Sequence, residues 1–209
     1  MITTPCIIFA GGKSSRMGED KALLPFGDKP TLIEFQYERL KKIFQTVYIS
    51  GKDAKKFHFL KEDEKENFIE DIKTQNIYAP TTGFISVFDA LHVRFSSSVN
   101  EIFVLSVDTP FVEKEEILKL FTHKDEPFDA VIAKTTQGIH PMCGIYKKGL
   151  HVSFKKMLQD NEHKLTKLLR DSNTLFIEFE DENNFLNLNH KEEYQKALLR
   201  LQQDRKVNE

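Results

Sequence analysis

Residues 6–24 read Cys-Ile-Ile-Phe-Ala-Gly-Gly-Lys-Ser-Ser-Arg-Met-Gly-Glu-Asp-Lys-Ala-Leu-Leu. The apolar run Cys6–Ala10 is short and is followed at once by glycine, a pattern typical of a buried strand. Two adjacent glycines allow the backbone to turn sharply and to approach a ligand closely. The stretch therefore predicts a first strand that ends in a ligand-binding loop.

The rest of the chain alternates short apolar runs with helix-period segments. Further buried strands are predicted at Thr46–Ser50, Asn67–Ile69, Glu101–Val107, Asp129–Ala133 and Met142–Tyr146. Helices are predicted at Thr31–Phe44, Phe84–Phe95, Lys114–Thr122, Leu150–Leu158, His163–Leu169 and His190–Gln203. Such alternation implies parallel pairing and right-handed crossovers. We predict a three-layer, Rossmann-like α/β fold with a mostly parallel central sheet, in one domain spanning residues 1–209.

The composition excludes partners that bind through bulk charge. The 30 basic and 32 acidic residues leave a formal net charge of -2, so neither nucleic acid nor an anionic membrane is favoured. Cys6–Ala10 is too short for a signal-peptide core or a membrane span and has no basic region before it. We therefore expect a cytoplasmic protein. Cys6 and Cys143 lie in predicted strands and are expected to be buried, and the charged stretch Lys61–Asn67 is expected to be solvated.

The loop after the first strand has the chemistry of an anion site. Successive backbone amides at Gly11 and Gly12 can form an anion-binding concavity. Arg16 and Lys21 add two positive charges, the first able to bind phosphate oxygens in a forked geometry. The spacing is neither that of a Walker A loop nor that of a dinucleotide fold. An ordinary surface turn is the alternative, but the position after strand one favours triphosphate binding.

A second polar position follows another apolar strand. Residues 104–111 read Val-Leu-Ser-Val-Asp-Thr-Pro-Phe, so Asp108 ends the strand and Pro110 prevents its continuation. In a parallel sheet this places Asp108 at the same edge as the glycine loop. A carboxylate there can hold Mg²⁺ together with phosphate oxygens and water. A simple turn before the proline is the alternative.

The glycine loop resembles the signature of the molybdenum cofactor guanylyltransferases, the MobA family of nucleotidyltransferases. That signature is Leu-Ala-Gly-Gly-x-Ser-x-Arg-Met-Gly-x-Asp-Lys-Ala/Gly-Leu-Leu. The matching residues are Ala10, Gly11, Gly12, Ser14, Arg16, Met17, Gly18, Asp20, Lys21, Leu23 and Leu24. Phe9 stands where leucine is usual. The resemblance implies a nucleotidyltransferase fold and nucleotide contacts from Phe9, Ala10, Gly11, Gly12 and Lys21.

The resemblance also implies roles for four further segments. Asp108 lies in the family's Asp-Thr/Met-Pro-Phe/Tyr segment, whose aspartate is the magnesium ligand. Asp71 follows the Asn67–Ile69 strand where the family has an aspartate that contacts the nucleotide. Residues 79–83 match the family's Gly-Pro-Leu-Ala-Gly segment near the base only at Pro80 and Gly83. Ser50 stands where relatives often carry an asparagine that contacts GTP.

On the acceptor side, His140-Pro141 and Asn187-Leu188-Asn189 resemble the family's His-Pro and Asn-x-Asn segments, which line the entry of the pterin phosphate. Local structural roles remain open for these residues. Asn189 can cap the helix that begins near His190, and His140 can be a turn residue before proline. Cys143 and His140 would supply only two ligands, too few for a zinc site.

Together these residues predict an enzyme that transfers GMP from GTP to the terminal phosphate of molybdenum-loaded molybdopterin and releases pyrophosphate. Because a phosphate nucleophile is already ionised near neutral pH, no general base is required. Arg16, Lys21 and Asp108 with Mg²⁺ would position the phosphates and neutralise the charge that develops on them. Molybdoenzyme chaperones or apoenzymes are the expected protein partners. Two alternatives remain: a relative that uses CTP or a sugar phosphate, and a non-catalytic adaptor that binds the nucleotide or the cofactor.

Overall fold

The computed structural model describes residues 1–11, 20–73, 79–95 and 99–207. Within that part of the chain, seven strands form a single sheet. The strands are β1 Cys6–Phe9, β2 Val47–Gly51, β3 Phe68–Glu70, β4 Glu101–Ser106, β5 Ala130–Thr135, β6 Gly138–Lys147 and β7 Thr174–Glu178. The α-helices are α1 Leu32–Lys41, α2 Pro80–Phe95, α3 Lys114–Phe121, α4 His151–Gln159, α5 Leu165–Asp171 and α6 Lys191–Val207.

The strand order is β3-β2-β1-β4-β6-β5-β7. β1 pairs in parallel with β2 on one side and with β4 on the other, and β3 and β7 also pair in parallel with their neighbours. The predicted three-layer α/β fold with a mostly parallel sheet is confirmed. β2 and β4 lie on opposite sides of β1, so the strand order changes direction at β1, the position where open α/β sheets typically bind ligands.

Two details of the sheet differ from the sequence-based expectation. β6 runs antiparallel to both β4 and β5, so the inference of parallel pairing is wrong for this strand. The reason is the short connection between β5 and β6, a hairpin turn formed by Thr136 and Gln137. A parallel crossover needs a dozen or more residues, so these two strands can pair only antiparallel. Strand β7 was not predicted, although its sequence contains the short apolar run Leu175-Phe176-Ile177.

The helices cover the sheet in two layers because strand side chains alternate between its faces. Ile8 and Leu105 belong to the cluster that includes residues of α1, α3 and α6. Ile7 and Val104 belong to the cluster on the opposite face, with α2, α4 and α5. Within the described residues, no helix combines the length and the hydropathy that crossing a bilayer would require.

Other local expectations agree with the structure. Thr31 precedes α1, and its side-chain oxygen accepts a hydrogen bond from the Glu34 amide at 3.2 Å, as its capping position predicts. Cys6 and Cys143 are buried free thiols, and burial raises the pKa of Cys143 to about 12, which keeps it protonated. The Lys61–Asn67 stretch is largely exposed, with a short 3-10 helix from Glu62 to Asn67.

Phe84 is the centre of the α2 face. It is fully buried, and its ring stacks on that of Phe154 at 4.3 Å between centroids. The rings of Tyr146 and Phe9 lie 4.6 and 4.8 Å away. The first turns of α2 are therefore fixed to β1, β6 and α4 by one aromatic side chain.

We predict that Phe84→Ala lowers the free energy of unfolding by about 3–5 kcal/mol, because it leaves a cavity among three other rings. Urea denaturation followed by circular dichroism measures this loss. Val93→Ala is the matched control on the same helix, since Val93 is 79% exposed and its truncation should change stability by less than about 0.5 kcal/mol. A loss below about 1 kcal/mol for Phe84→Ala would contradict this packing.

Candidate active site

The candidate site lies where the chain leaves β1, between the ends of β2 and β4. The Ala10 amide donates to the Ser50 carbonyl at 2.8 Å, and the Val107 amide donates to the Phe9 carbonyl at 3.1 Å. Hydrogen bonds thus continue on both sides of β1 up to the residue before Gly11. The glycine loop is anchored between the residues that follow β2 and those that follow β4.

On the β2 side, Gly11 lies against Asp71 and the backbone of Gly51. The Ser50 hydroxyl donates to Asp71 Oδ1 at 2.6 Å, and both residues are buried. A Cβ atom on Gly11 would lie only 2.6 Å from Asp71 Oδ2. A side chain at position 11 would therefore displace the Asp71 carboxylate from its hydrogen bond with Ser50.

Asp71 is an acid held in a poorly solvated position. Burial raises the pKa of its carboxyl, while the Ser50 hydrogen bond and the Lys52 charge act in the opposite direction. Its backbone amide donates to the Gly51 carbonyl at 2.8 Å, which fixes where the chain leaves β3. Ser50 has no exposed surface, and its hydroxyl hydrogen bond holds the Asp71 carboxylate in place.

The beginning of α2 packs on the same cluster. Pro80 is the first residue of the helix, a position where its missing N–H costs nothing. A Cβ on Gly83 would lie 2.6 Å from the Phe9 ring and 3.0 Å from Ser50 Oγ. Gly83 thus lets α2 approach β1 closely, and the Phe9 side chain is part of the core.

On the β4 side, Lys21 joins two residues that are distant in sequence. Its Nζ atom forms an ion pair with Asp108 Oδ2 and donates to Asn189 Oδ1 at 3.2 Å. The Lys21 and Asp108 side chains are 15% and 11% exposed, so most of the pair is buried and a small part of each side chain is accessible from solvent. Charge attraction in such a place is stronger than on an open surface.

Asp20 fixes the backbone that carries Lys21. Its carboxylate accepts a hydrogen bond from the Ala22 amide at 3.3 Å and caps the short 3-10 helix Lys21–Leu23. The other oxygen of Asp20 pairs with Lys56 at 2.7 Å. The acid of the Asp-Lys pair in the loop signature therefore has a local structural function.

The second carboxylate oxygen of Asp108 is buried and accepts no hydrogen bond within the described part of the chain. A buried carboxylate oxygen without a partner is costly, and a hard cation would satisfy it. Across the same residues, no three His, Cys, Asp or Glu side chains converge on one point. A cation at Asp108 could complete its coordination with phosphate oxygens and water.

The segment Phe185–Asn189 connects His140 with this pair. The rings of Phe185 and His140 lie 5.0 Å apart, and the Leu188 amide donates to the Asp108 carbonyl at 2.9 Å. His140 Nε2 lies 3.0 Å from Thr135 Oγ1, and burial lowers the pKa of the imidazole. Because β6 is antiparallel, its first residues reach the same sheet edge as the end of β4.

The Asn189 side chain does not cap α6, which was the alternative role considered for it. Glu193 accepts hydrogen bonds from the backbone amides of Asn189 and His190 and so caps α6. This leaves the Asn189 amide oxygen to accept from Lys21. Asn187 is exposed, and its carbonyl accepts from the Asn189 amide at 3.0 Å.

Two predicted site residues, Gly12 and Arg16, lie outside the described residues. Sequence reasoning also missed residues that support the site, among them Thr135 beside His140 and Gln36 beneath the Asp108 turn. Gln36 had a possible signal, since it is a polar residue on the apolar face of α1 next to Ile33, Tyr37 and Leu40.

The sequence is similar to known proteins over most of its length. The model of the MobA-like NTP transferase domain matches residues 6–175. Molybdenum cofactor guanylyltransferase of Campylobacter jejuni subsp. jejuni serotype O:6 is 40% identical over 192 residues, covering 91% of this chain and 93% of the relative. The enzyme of that name from Helicobacter pylori J99 is 30% identical over 199 residues, covering 93% and 88%.

The fold is also found among solved structures. Molybdopterin-guanine dinucleotide biosynthesis protein A from Archaeoglobus fulgidus superposes with a TM-score of 0.77 at 18% identity, covering 96% of this chain and all of that one. At that identity the similarity concerns the fold, whereas the family match and the curated relatives span most of the sequence. The chain therefore belongs to the MobA-like NTP transferases and, among them, to the molybdenum cofactor guanylyltransferase family.

Proposed function

We propose that this protein transfers GMP from GTP to the terminal phosphate of molybdenum-loaded molybdopterin and releases pyrophosphate. The observation that carries the proposal is the Lys21–Asp108 ion pair, in which Asp108 follows the carboxyl end of β4. A cation and an acid on adjacent loops suit a metal-bound triphosphate, because one binds phosphate oxygens and the other holds the metal. The family's name supplies the nucleotide and the acceptor.

Asp108 is the proposed holder of Mg²⁺, supported by its buried and unpartnered second oxygen. When bound, Mg²⁺ would act as a Lewis acid that withdraws charge from phosphate oxygens. Lys21 would move its ammonium group from Asp108 to an oxygen of the triphosphate. Asp108 would then be compensated by the cation, so no buried charge is left without a partner.

The remaining chain residues would orient the substrates. Amides at Gly11 and Gly12 and the Arg16 guanidinium would bind the triphosphate, with Asp71 contacting the nucleoside and Ser50 holding Asp71 in place. Phe9, Ala10, Pro80 and Gly83 would shape this side through backbone and packing.

His140, Asn187 and Asn189 are proposed to face the acceptor. Its phosphate is ionised at neutral pH, so these residues would position the nucleophile for in-line attack on the α-phosphorus rather than remove a proton. Asn189 already contacts Lys21, which brings the acceptor side next to the nucleotide side.

We place the reaction in the cytoplasm and expect molybdoenzyme chaperones or apoenzymes to receive the product. The direct test of the proposal combines the purified protein with GTP, Mg²⁺ and molybdenum-loaded molybdopterin. Equal amounts of pyrophosphate and a guanine dinucleotide product, identified by mass spectrometry, are expected. GTP binding without either product would favour the adaptor alternative.

We predict that Lys21→Ala and Asp108→Ala each lower kcat/KM by about 100- to 1000-fold, because each removes a charge that acts on the transferred group. Steady-state pyrophosphate release measures the loss, and circular dichroism checks the fold. Lys167→Ala and Asp125→Ala remove exposed charges of the same kinds elsewhere and should retain full activity. Near-normal turnover in either site variant would remove that residue from the mechanism.

We predict that GTP with Mg²⁺ raises the melting temperature more than CTP, ATP or UTP. At about 100 times its Kd a ligand adds about 2.7 kcal/mol, which corresponds to a rise of about 5–10 °C for a chain of this size. Differential scanning fluorimetry with each nucleotide at the same concentration makes the comparison. Stabilisation by CTP alone would instead assign the protein to a cytidylyl-transferring relative.

We predict that Asp71→Asn stabilises the free protein at neutral pH while raising the KM for GTP. A raised carboxyl pKa means that the folded state disfavours the charged form, which asparagine avoids. The gain in stability of Asp71→Asn over the wild type should be complete above the raised pKa of Asp71. It should vanish as the pH falls toward 3.8, the ordinary pKa of an aspartate carboxyl. Melting temperatures from pH 3 to 8 test this; a variant that is less stable than wild type at pH 7 would contradict it.

A further inference from the structure

Gln36 places a fully buried polar side chain beneath the turn that carries Asp108. It lies on α1 and is 0% exposed. Its Nε2 atom lies 3.0 Å from the Thr109 carbonyl oxygen, 3.4 Å from that of Val107 and 3.5 Å from that of Ser106. One side-chain amide thus donates to backbone acceptors on both sides of the acid.

Arg39 determines which way the Gln36 amide points. Its Nη2 atom donates to Gln36 Oε1 at 2.6 Å, and its Nη1 atom donates to the Val112 carbonyl. Because a guanidinium has donors only, the amide oxygen must face Arg39 and the NH₂ group must face the turn. Burial lowers the pKa of Arg39 to about 10, so the group stays protonated at neutral pH.

These donors complete the hydrogen bonding of the turn. β4 ends at Ser106, so the next carbonyls have no strand partner and need other donors. The Ser106 carbonyl also accepts from the Thr109 amide and hydroxyl, and the Asp108 carbonyl accepts from Leu188. The carbonyls of Val107 and Thr109 receive their hydrogen bonds from Gln36.

The pair has a cost that simple packing would avoid. Arg39 Nε is buried and has no hydrogen-bond partner within the described residues. An apolar pair of similar size would avoid this unpaired donor, but it would leave the carbonyls of Val107, Thr109 and Val112 without the donors that Gln36 and Arg39 supply. The hydrogen bonds of Gln36 and Arg39 to the turn go to carbonyls between Ser106 and Val112, the segment that contains Asp108.

We propose that Gln36, oriented by Arg39, is a positioning residue that holds the Asp108 turn in the geometry required for metal-assisted transfer. The effect on catalysis rests on the proposed function, whereas the effect on the turn itself does not. Neither residue touches substrate; both act through the backbone of residues 106–112. A displacement of about 1 Å at a reacting centre can cost about 100-fold in rate, so the turn needs such support.

Gln36→Glu tests the proposal because it keeps the side-chain length and the pairing with Arg39 but replaces the NH₂ donor with an acceptor. We expect kcat to fall by about 10- to 100-fold and the Mg²⁺ concentration for half-maximal activity to rise by about 5-fold or more, with a smaller change in the KM for GTP. Gln45→Glu, an exposed site after α1, adds the same charge and should leave all three values unchanged.

Hydrogen exchange gives a second measurement that needs no substrate. The amides of Thr109 and Leu188 donate within the turn, and in Gln36→Glu they should exchange at least about 10-fold faster relative to the Ile132 amide of β5. Equal relative exchange rates in the variant and the wild type would overturn the proposal. If wild-type protein makes no guanine dinucleotide, the proposed function fails, but this exchange measurement still decides the role of Gln36.

The double variant Gln36→Met/Arg39→Met removes all of these donors without adding a charge. It leaves the carbonyls of Val107, Thr109 and Val112 without them, so the melting temperature should fall by about 5–15 °C. Faster exchange at Thr109 and Leu188 relative to Ile132, together with a raised Mg²⁺ requirement, would support positioning. Wild-type exchange rates and a wild-type Mg²⁺ dependence in this double variant would overturn the positioning proposal. This test remains decisive if Gln36→Glu fails to fold.

Discussion

Strand β1 is hydrogen-bonded on both sides, and the arrangement of the site depends on this central placement. Its parallel partners β2 and β4 end beside it, so the residues that follow all three strands meet at one edge. The Ala10 amide and the Phe9 carbonyl extend the pairing to the start of the glycine loop. Gly11 thus emerges with Asp71 on one side and Asp108 on the other, and a triphosphate there could contact both.

The site places polar and charged groups where burial makes them costly. Asp71 is buried beside Gly11, and one oxygen of Asp108 has no hydrogen-bond partner in the described part of the chain. The amide of Gln36 and the guanidinium of Arg39 are buried beneath the same turn. Stability is reduced at each of these positions, which is common at sites where charged groups must be held ready for a ligand. The aromatic cluster around Phe84 offsets part of that loss by fixing α2 to the sheet.

Local sequence patterns were sufficient to predict the features that depend on neighbouring residues. The run Cys6–Ala10, the glycines after it and the acid before Pro110 predicted the strands, the sheet edge and the Lys21–Asp108 region. Long-range hydrogen bonds were not predictable, because no local pattern shows that Asn189 will reach Lys21 or that Gln36 will donate to Thr109. The antiparallel direction of β6 was not predicted, although its short connection to β5 contained the information. The contact of Ser50 with GTP stays a prediction, and in this structure its hydroxyl donates to Asp71.

The central claim is that Lys21 and Asp108, paired beside β1, act as one unit on the same triphosphate. A double-mutant cycle on kcat/KM with Lys21→Ala, Asp108→Ala and the double variant tests it most directly. If the two residues act together, the double variant should lose little more activity than the more damaging single variant, as is found for residues that act as a unit. The claim would be contradicted if the fold-loss in kcat/KM of the double variant equalled the product of the two single fold-losses, because the two free-energy effects would then simply add.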